Sequence, residues 1–98
     1  MAAYLISDVI VRDRAAFEAY RTRAAASIEK FGGRYLVRGG AIEVLEGDRC
    51  PTTLIVVEFP DNATAKRWYA SPEYRYALEV RDQALSRSLV LVNGLDVG

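Results

Sequence analysis

The sequence predicts a single α+β domain over residues 1–98, and three observations support that fold class. A length of 98 residues with 51% hydrophobic and 27% charged residues is typical of one globular domain. Apolar runs typical of strands alternate along the chain with segments of helical periodicity. Residues 53–74 combine a buried strand, a turn and two helix starts, and the rest of the chain is arranged around them.

The N-terminal third predicts a strand at residues 4–11 followed by a long helix. Both faces of the strand are mostly apolar, so we expect it to lie centrally in the sheet. Asp13 can cap a helix that extends to about residue 31, and Gly32-Gly33 can end it with one left-handed residue. One side of this helix carries the apolar stripe Phe17, Tyr20, Ala24, Ile28 and Phe31.

Residues 34–46 predict one long bent strand. Arg34, Leu36 and Arg38 share a face of its first part. Gly39-Gly40 predicts a bulge or corner, because paired glycines relieve the steric strain of such a bend. Residues 41–46 then resume as extended chain, and the turn after them predicts that they pair as a hairpin with the strand at 53–59.

The second half predicts a broken helix and a last strand. Pro60 ends the strand at 53–59, and Asp61 can cap a short helix. Ser71-Pro72 breaks that helix and starts another, which extends to about residue 85. A strand at 87–95 completes the order βαββαβ. This order predicts a ferredoxin-like sandwich with an antiparallel sheet and a second helix broken at Ser71-Pro72.

The sheet of such a sandwich has one face without helices. The strands give this face many aliphatic residues, and a large exposed apolar patch generally marks a partner surface. Two sheets packed face to face would bury it, at roughly 800 Å² per subunit. We therefore expect a two-fold homodimer that forms through the open sheet face.

Composition excludes several classes of function. Thirteen basic residues balance thirteen acidic ones, so we expect no nucleic-acid or membrane partner. The first residues lack a basic leader, and the single Cys50 cannot form an internal disulfide, so we expect a cytoplasmic protein. Because the chain has no histidine and one cysteine, haem ligation by histidine, a histidine-activated nucleophile and an ordinary zinc site are excluded. We expect no metal and no organic cofactor, and we interpret Cys50 as an incidental thiol.

Two stretches of the chain resemble a known bacterial family. They are GGRYLVRGGAIEVLEG at residues 32–47 and VVEFPDNATAKRWYASPEY at 56–74, and the family is the domain of unknown function 1330. The resemblance extends from Tyr4 to about Gly94 and implies a dimeric α+β barrel shared by two ferredoxin-like subunits. Members of that superfamily include cofactor-free oxygenases, isomerases, haem enzymes and ligand-binding subunits. The resemblance therefore implies a scaffold and no particular reaction.

Arg81 and Glu58 are the candidate catalytic residues. Helical spacing places Arg81 in the middle of an otherwise apolar stripe, where an unpaired charge would be very costly. Glu58 could pair with it, or Asp8, which is also a candidate ligand-binding residue. Either the pair is a structural ion pair, or it flanks a pocket in which Arg81 holds an anionic or enolic oxygen and Glu58 moves a proton.

Five further residues are candidate ligand-binding residues. Trp68, Tyr69 and Tyr74 cluster around the helix break, where they either fill the core or interface or line the mouth of a pocket. Arg34 and Arg38 either clamp a carboxylate or form solvated or intersubunit salt bridges.

Three functions from different classes remain open at this point. The first is a cofactor-free enzyme that performs oxygenase- or isomerase-like proton transfer on a small acidic or phenolic molecule. The second is a dimer that binds a small ligand without catalysis. The third is a structural subunit, whose interior should be filled by side chains.

Overall fold

The computed structural model describes residues 1–95, which contain four strands and four helices. The strands are β1 (Ala3–Val11), β2 (Arg34–Arg38), β3 (Leu54–Phe59) and β4 (Leu85–Asn93). The helices are α1 (Arg14–Lys30), α2 (Asn62–Tyr69), α3 (Pro72–Leu78) and α4 (Arg81–Ala84). All strand pairs are antiparallel, in the order β2-β3-β1-β4. The fold is therefore the ferredoxin-like α+β sandwich that the sequence predicts.

Local sequence signals determine where the helices begin. Asp13 caps α1 and Asp61 caps α2, each through a carboxylate oxygen that accepts a first-turn backbone N–H, at 3.2 and 2.7 Å. Ser71 Oγ accepts the backbone N–H of Tyr74 at 3.1 Å, and Pro72 occupies the first position of α3. The predicted break of the second helix at Ser71-Pro72 is confirmed.

The pleat of the sheet separates two faces. The helix face carries alternate strand residues such as Leu5, Val57 and Leu89, which pack under the helices. The opposite face, called the open face, includes Ile10 and Val90, whose side chains are 54% and 51% exposed. The Cα positions extend 42 × 40 × 16 Å, which corresponds to one helix layer on one sheet layer. The open face has no second layer within residues 1–95.

The core lies between α1, the two following helices and the helix face. Its largest fully buried side chains include Trp68, Tyr74 and Phe59. The Trp68 ring lies 4.0 Å from the Tyr74 ring and 5.3 Å from the Phe59 ring, measured between centroids. The predicted stripe of α1 faces this core, because Tyr20 and Ile28 are buried.

The predicted hairpin between residues 41–46 and 53–59 is wrong. β3 pairs with β2 instead, in a register that places Arg34 opposite Glu58. Residues 39–53 leave the sheet as irregular chain, and Leu45 is 87% exposed. The β propensity of residues 41–46 is real, but a strand needs a neighbour to satisfy its backbone groups, and residues 1–95 offer none there.

The bulge of the second strand also differs from the prediction. It lies between Tyr35 and Val37, before the glycine pair, and inserts Leu36 as an extra residue. An extra residue reverses the alternation of faces. Arg34 therefore lies on the open face and Arg38 on the helix face, although the simple alternation places them together.

Two boundaries near the C-terminal strand are also shifted. The predicted continuous helix to about residue 85 is interrupted after Leu78, and α4 restarts at Arg81. The last strand begins at Leu85 instead of Arg87. The interruption changes the helical phase, so Arg81 is not in the stripe that continuous helical spacing predicts. No helix within residues 1–95 has the length and apolar character needed to cross a membrane.

Candidate functional site

One arginine and two tyrosines from different elements meet at the helix face. Arg87 lies on β4, Tyr20 on α1 and Tyr74 on α3. Arg87 Nη1 donates a hydrogen bond to Tyr20 Oη at 2.6 Å, and Arg87 Nη2 donates to Tyr74 Oη. The two phenol oxygens are 2.7 Å apart and share a further hydrogen bond. We call these three residues the Arg87 cluster.

Strand register and helix phase place the Arg87 cluster. Arg87 is opposite Val9 in the β1–β4 ladder, so its side chain lies on the same face as the buried valine. Tyr20 belongs to the apolar stripe of α1. Tyr74 follows the Ser71 cap by three residues, and this spacing turns it inward at the start of α3.

A second hydrogen-bonded group supports the cluster from below. Trp68 Nε1 donates to Ser27 Oγ at 2.9 Å, and Ser27 Oγ in turn donates to the Ala24 carbonyl at 2.7 Å. Ser71 Oγ donates to the Trp68 carbonyl at 2.7 Å. These bonds fix the position of the Trp68 ring, and Tyr74 of the Arg87 cluster packs against that ring.

Arg87 borders two spaces in the protein. The first, called the inner cavity, has a volume of about 40 Å³ and is lined by residues that include Leu5, Ser7, Tyr20, Val57 and Arg87. Ser7 Oγ is buried there without a hydrogen-bond partner. The second, called the outer groove, has a volume of about 430 Å³ and is lined by residues that include Arg12, Tyr69, Arg81 and Arg87.

The charges around the inner cavity are all positive. Three arginines line it, Arg21, Arg38 and Arg87, and no carboxylate does so within residues 1–95. Within residues 1–95, Arg87 forms no ion pair. A partly buried guanidinium that contacts only neutral oxygens retains its full positive charge, so the site attracts an anion.

The pKa shifts agree with that description. Burial by itself would lower the pKa of Arg87, but the two neighbouring phenol oxygens outweigh burial and the pKa is raised. Burial raises the pKa of Tyr20, and the adjacent Tyr74 hydroxyl adds to the rise. Near neutral pH Arg87 is therefore a guanidinium, and Tyr20 is a phenol that can donate or accept hydrogen bonds. Tyr20 is too weak an acid to act there as a phenolate base.

The structure places Glu58 on the open face of the sheet. Its carboxylate accepts hydrogen bonds from Arg34 Nε at 2.8 Å and from Tyr4 Oη at 3.1 Å. The Arg34 hydrogen bond, followed by that from Tyr4, lowers the pKa of Glu58. The hydrogen bond that Tyr4 donates to this carboxylate also raises the pKa of Tyr4. Glu58 is therefore a paired carboxylate across the sheet from the Arg87 cluster.

Arg81 does not meet Glu58 or Asp8 in the structure. Its Nε donates to Asp82 Oδ1 at 3.2 Å, and the side chain lines the outer groove. Asp8 accepts the backbone N–H of Thr52 at 3.0 Å through Oδ1. The expected ion pair is absent, because Asp8 and Glu58 point to the open face and Arg81 begins a separate helix on the other side.

The remaining candidates divide between the core and the surface. Trp68 and Tyr74 are buried beside the Arg87 cluster, whereas Tyr69 is 48% exposed and lines the outer groove. The Arg38 guanidinium lies 4.5 Å from the centre of the Tyr35 ring at the inner cavity. The pKa of Tyr35 is raised by burial, against a smaller opposing effect of Arg38.

The site residues predicted from the sequence do not include Arg87 and Tyr20. Tyr20 belongs to the predicted helix stripe, and Arg87 begins the predicted strand at 87–95. A signal was present: Arg87 has the same phase as Leu85, Leu89 and Leu91, so it is a charge at a position where its neighbours are apolar. Residues 1–95 contain no group of three His, Cys, Asp or Glu side chains that could hold a metal ion.

Solved structures with the same fold come from several bacteria. The RPA0582 protein of unknown function from Rhodopseudomonas palustris is similar with a TM-score of 0.77 and 22% identity, covering 97% of this chain and 83% of that one. SnoaB, a cofactor-independent oxygenase from Streptomyces nogalater, gives a TM-score of 0.69 and 15% identity over 98% and 95% of the two chains. A dimeric ferredoxin-like protein of unknown function from Bacteroides fragilis gives 0.62 and 15% over 95% and 96%.

These similarities establish the fold, since the identities are low. No curated protein matches the chain. The match to a family model is more extensive, because it covers residues 2–95 and includes every strand and helix described above. The chain belongs to the family described as domain of unknown function DUF1330.

Proposed function

We propose that the protein is a homodimeric enzyme that binds a small acidic or phenolic molecule as its anion and transforms it without a cofactor. The observation that carries the proposal is Arg87, a partly buried guanidinium that has two phenol partners and no carboxylate within residues 1–95. A ligand oxygen that carries negative charge would supply the missing counter-charge.

The chemistry of the cluster suits an oxyanion. A positive charge next to a bound phenol or enol lowers the pKa of that ligand, so more of it is ionised near neutral pH. Tyr20 and Tyr74 can each donate a hydrogen bond to the same oxygen once the ligand displaces their mutual contact. An electron-rich phenolate can transfer one electron to dioxygen directly, and the resulting phenoxyl radical and superoxide can combine to a peroxide at a ring carbon. The fold shared with a cofactor-independent oxygenase supports this class of reaction.

The distribution of charges also favours Arg87 over Glu58 for the catalytic role. Glu58 is held by Arg34 and Tyr4 on the open face, and Arg81 is paired with Asp82. Neither side chain lines the inner cavity, whereas Arg87 does. The proton that the phenol or enol loses on ionisation then passes to bulk solvent, and Arg87 stabilises the resulting anion.

The proposed dimer uses the open face. Ile10, Val90 and Val92 are each about half exposed there, and Val90 and Val92 lie opposite Ile6 and Tyr4 in the ladder. Exposed apolar side chains grouped on one face mark a partner surface. The chain exposes 6540 Å², of which a standard interface would bury roughly 800 Å² per partner. The dimeric ferredoxin-like neighbour supports the same assembly.

A structural subunit is the second candidate, favoured by one observation. The inner cavity of about 40 Å³ is far smaller than the roughly 300–1,000 Å³ of typical ligand pockets. A ligand on Arg87 would therefore have to enter from the outer groove, or the side chains around the cavity would have to move.

Ligand binding with a matched pair of variants tests the proposal. A panel of naphthols, naphthohydroquinones and aromatic hydroxy acids is titrated into the protein while Trp68 fluorescence is recorded, and dioxygen uptake is followed with an electrode. We expect Arg87→Met to raise the dissociation constant about ten- to a hundredfold, as the loss of one charge-assisted hydrogen bond implies. Arg75→Met, on the exposed side of α3, is the control. Equal binding by both variants, or no binding by the wild type, would favour the structural subunit.

A further inference from the structure

Ser7 is the one residue of the described chain, residues 1–95, with a buried side-chain polar atom that has no hydrogen-bond partner. It is 4% exposed and lines the inner cavity. A buried hydroxyl without a partner lowers the stability of a fold, and an alanine would fit the same place without that cost. The hydroxyl is accounted for when a small molecule in the cavity accepts its hydrogen bond.

The inner cavity has the size and the lining of a site for a diatomic molecule. Its volume of about 40 Å³ is close to the roughly 30 Å³ that one water molecule occupies in the liquid, so no aromatic ring fits. Many of the side chains that enclose it with Ser7 are aliphatic and include Leu5, Val9, Ile28, Ile55 and Val57. A buried water needs about two to four polar partners. One free hydroxyl among aliphatic side chains therefore favours a small apolar molecule that accepts a single hydrogen bond.

The register of the sheet places Ser7 next to Arg87. Ser7 lies opposite Leu89 in the β1–β4 ladder, and Arg87 lies opposite Val9. The two residues are therefore diagonal neighbours on the helix face, roughly 7–8 Å apart. Both line the inner cavity, and Arg87 also lines the outer groove. A molecule beside Ser7 and a ligand in the outer groove thus meet at one guanidinium.

We propose that the inner cavity binds dioxygen and that Ser7 Oγ donates a hydrogen bond to this molecule as it is reduced. The inference rests on the proposed function, because dioxygen is the second reactant of the proposed oxidation. The aromatic anion occupies the outer groove of about 430 Å³, and dioxygen approaches the same ring from the inner cavity. Arg87 borders both spaces and stabilises negative charge in either one.

The reaction at this site balances with a naphthol as the reductant. The naphtholate gives one electron to dioxygen, which produces a phenoxyl radical and superoxide. These combine through a new C–O bond at a ring carbon that carries hydrogen, and the peroxide anion takes up one proton from solvent. Loss of water from the hydroperoxide leaves a ring carbonyl, so each naphthol consumes one dioxygen and yields one quinone and one water. Ser7 keeps its own proton and stabilises the charged oxygens by hydrogen bonding.

Three substitutions separate the hydroxyl of Ser7 from the space beside it. Ser7→Ala removes the hydroxyl and leaves the cavity open. Ser7→Thr keeps the hydroxyl and adds a methyl group to the cavity, and Ser7→Val has the shape of threonine without the hydroxyl. Threonine and valine are both favourable in strands, so we expect all three variants to fold. Ser7→Ala should not lower the midpoint of urea unfolding, because the hydroxyl has no partner in the protein.

Xenon tests the binding space without any reaction, because it enters small apolar cavities. Crystals of the wild type and of Ser7→Ala under xenon pressure should show a xenon atom in the inner cavity. Ser7→Thr and Ser7→Val should lose most of this occupancy. A wild-type cavity that takes no xenon, or that holds a water which xenon does not displace, would overturn the proposal. Equal xenon occupancy in Ser7→Thr and the wild type would also overturn it.

Rates of dioxygen uptake test the hydrogen bond, with the naphthol that the wild type oxidises fastest. We expect Ser7→Ala to lower kcat about ten- to a hundredfold, as the loss of one hydrogen bond to a charged oxygen implies. The dissociation constant of the naphthol should stay the same, since Ser7 does not line the outer groove. Ser7→Thr should instead raise the KM for dioxygen. An unchanged kcat in Ser7→Ala would refute the role of Ser7.

The dioxygen site and the proposed function fail in different ways. Xenon in the inner cavity without oxidation or binding of any naphthol would remove the proposed function and support the cavity as a gas site. Oxidation that depends on Arg87, in a protein whose inner cavity takes no xenon, would overturn the dioxygen site and leave the function standing.

Discussion

Replacing Arg87 by methionine separates a functional role of this side chain from a structural one. The guanidinium donates to the oxygens of Tyr20 and Tyr74 but has no carboxylate partner within residues 1–95. Methionine fills a similar length without charge. The two phenols remain hydrogen-bonded to each other at 2.7 Å, so the change leaves neither hydroxyl without a partner.

Two opposing contributions determine the expected change in the free energy of unfolding. The two hydrogen bonds from a charged donor contribute about 1.5–3 kcal/mol each. Removing a partly buried charge that has no counter-ion also removes its desolvation cost, which stabilises the folded state by at most several kcal/mol. These contributions nearly cancel, so we expect Arg87→Met to shift stability by less than about 1.5 kcal/mol in either direction. Tyr74→Phe should cost more, about 2–3 kcal/mol, because it removes the hydrogen bond between the two phenols and leaves Arg87 Nη2 without its acceptor.

Urea unfolding at one fixed protein concentration measures both variants. Trp68 is the single tryptophan and is 1% exposed, so its fluorescence reports when the core opens. A loss above about 3 kcal/mol for Arg87→Met is the magnitude of a broken structural ion pair. That result, or a smaller loss for Tyr74→Phe than for Arg87→Met, would refute the description of Arg87 as a charge retained for a ligand.

Three further predictions concern packing, capping and pH. Gly33→Ala should lower stability by about 1–3 kcal/mol, because a Cβ at Gly33 would lie 2.8 Å from the Phe59 ring; Gly40→Ala, where nothing lies within 4 Å, is the control in the same thermal melts and should be unchanged. Ser71→Ala should cost about 1–2 kcal/mol in urea unfolding, since the cap of α3 is lost; an unchanged midpoint would contradict the capping role. The Arg34 and Tyr4 hydrogen bonds lower the pKa of Glu58 below its ordinary 4.5, so its contribution is present above pH 4.5 and is lost as the pH falls through the lower folded value. Glu58→Gln should therefore flatten the loss of melting temperature in this acidic range, and a variant that still follows the wild-type curve would contradict the assignment.

The elements with local signals were predictable from the sequence. The helix starts are predicted by capping residues, Asp13, Asp61 and Ser71. Each side chain accepts a hydrogen bond from a free backbone N–H only a few positions away. The alternation of βαββαβ elements then leaves few topologies, of which the ferredoxin-like sandwich is one. Fold class therefore followed from short-range chemistry.

The errors arose where the outcome depends on distant residues. Residues 41–46 have the composition of a strand, but composition does not supply the neighbour that a strand needs. The bulge at Leu36 moved Arg38 to the other face, and no glycine marks it. The interruption after Leu78 changed the phase that had placed Arg81 in the core. The last two errors each follow from one local irregularity that changes which way an arginine points.

The distribution of arginines gives the strongest reason to expect an anionic ligand. Arg34 pairs with Glu58 and Arg81 pairs with Asp82, so these charges are matched within the chain. Arg87 occupies a position on the helix face of β4 that Leu89 and Leu91 fill with apolar side chains in the same phase. A protein that needed only packing there could use a leucine and avoid the cost of desolvating a charge. The guanidinium is accounted for when a negatively charged oxygen joins Tyr20 and Tyr74 around it.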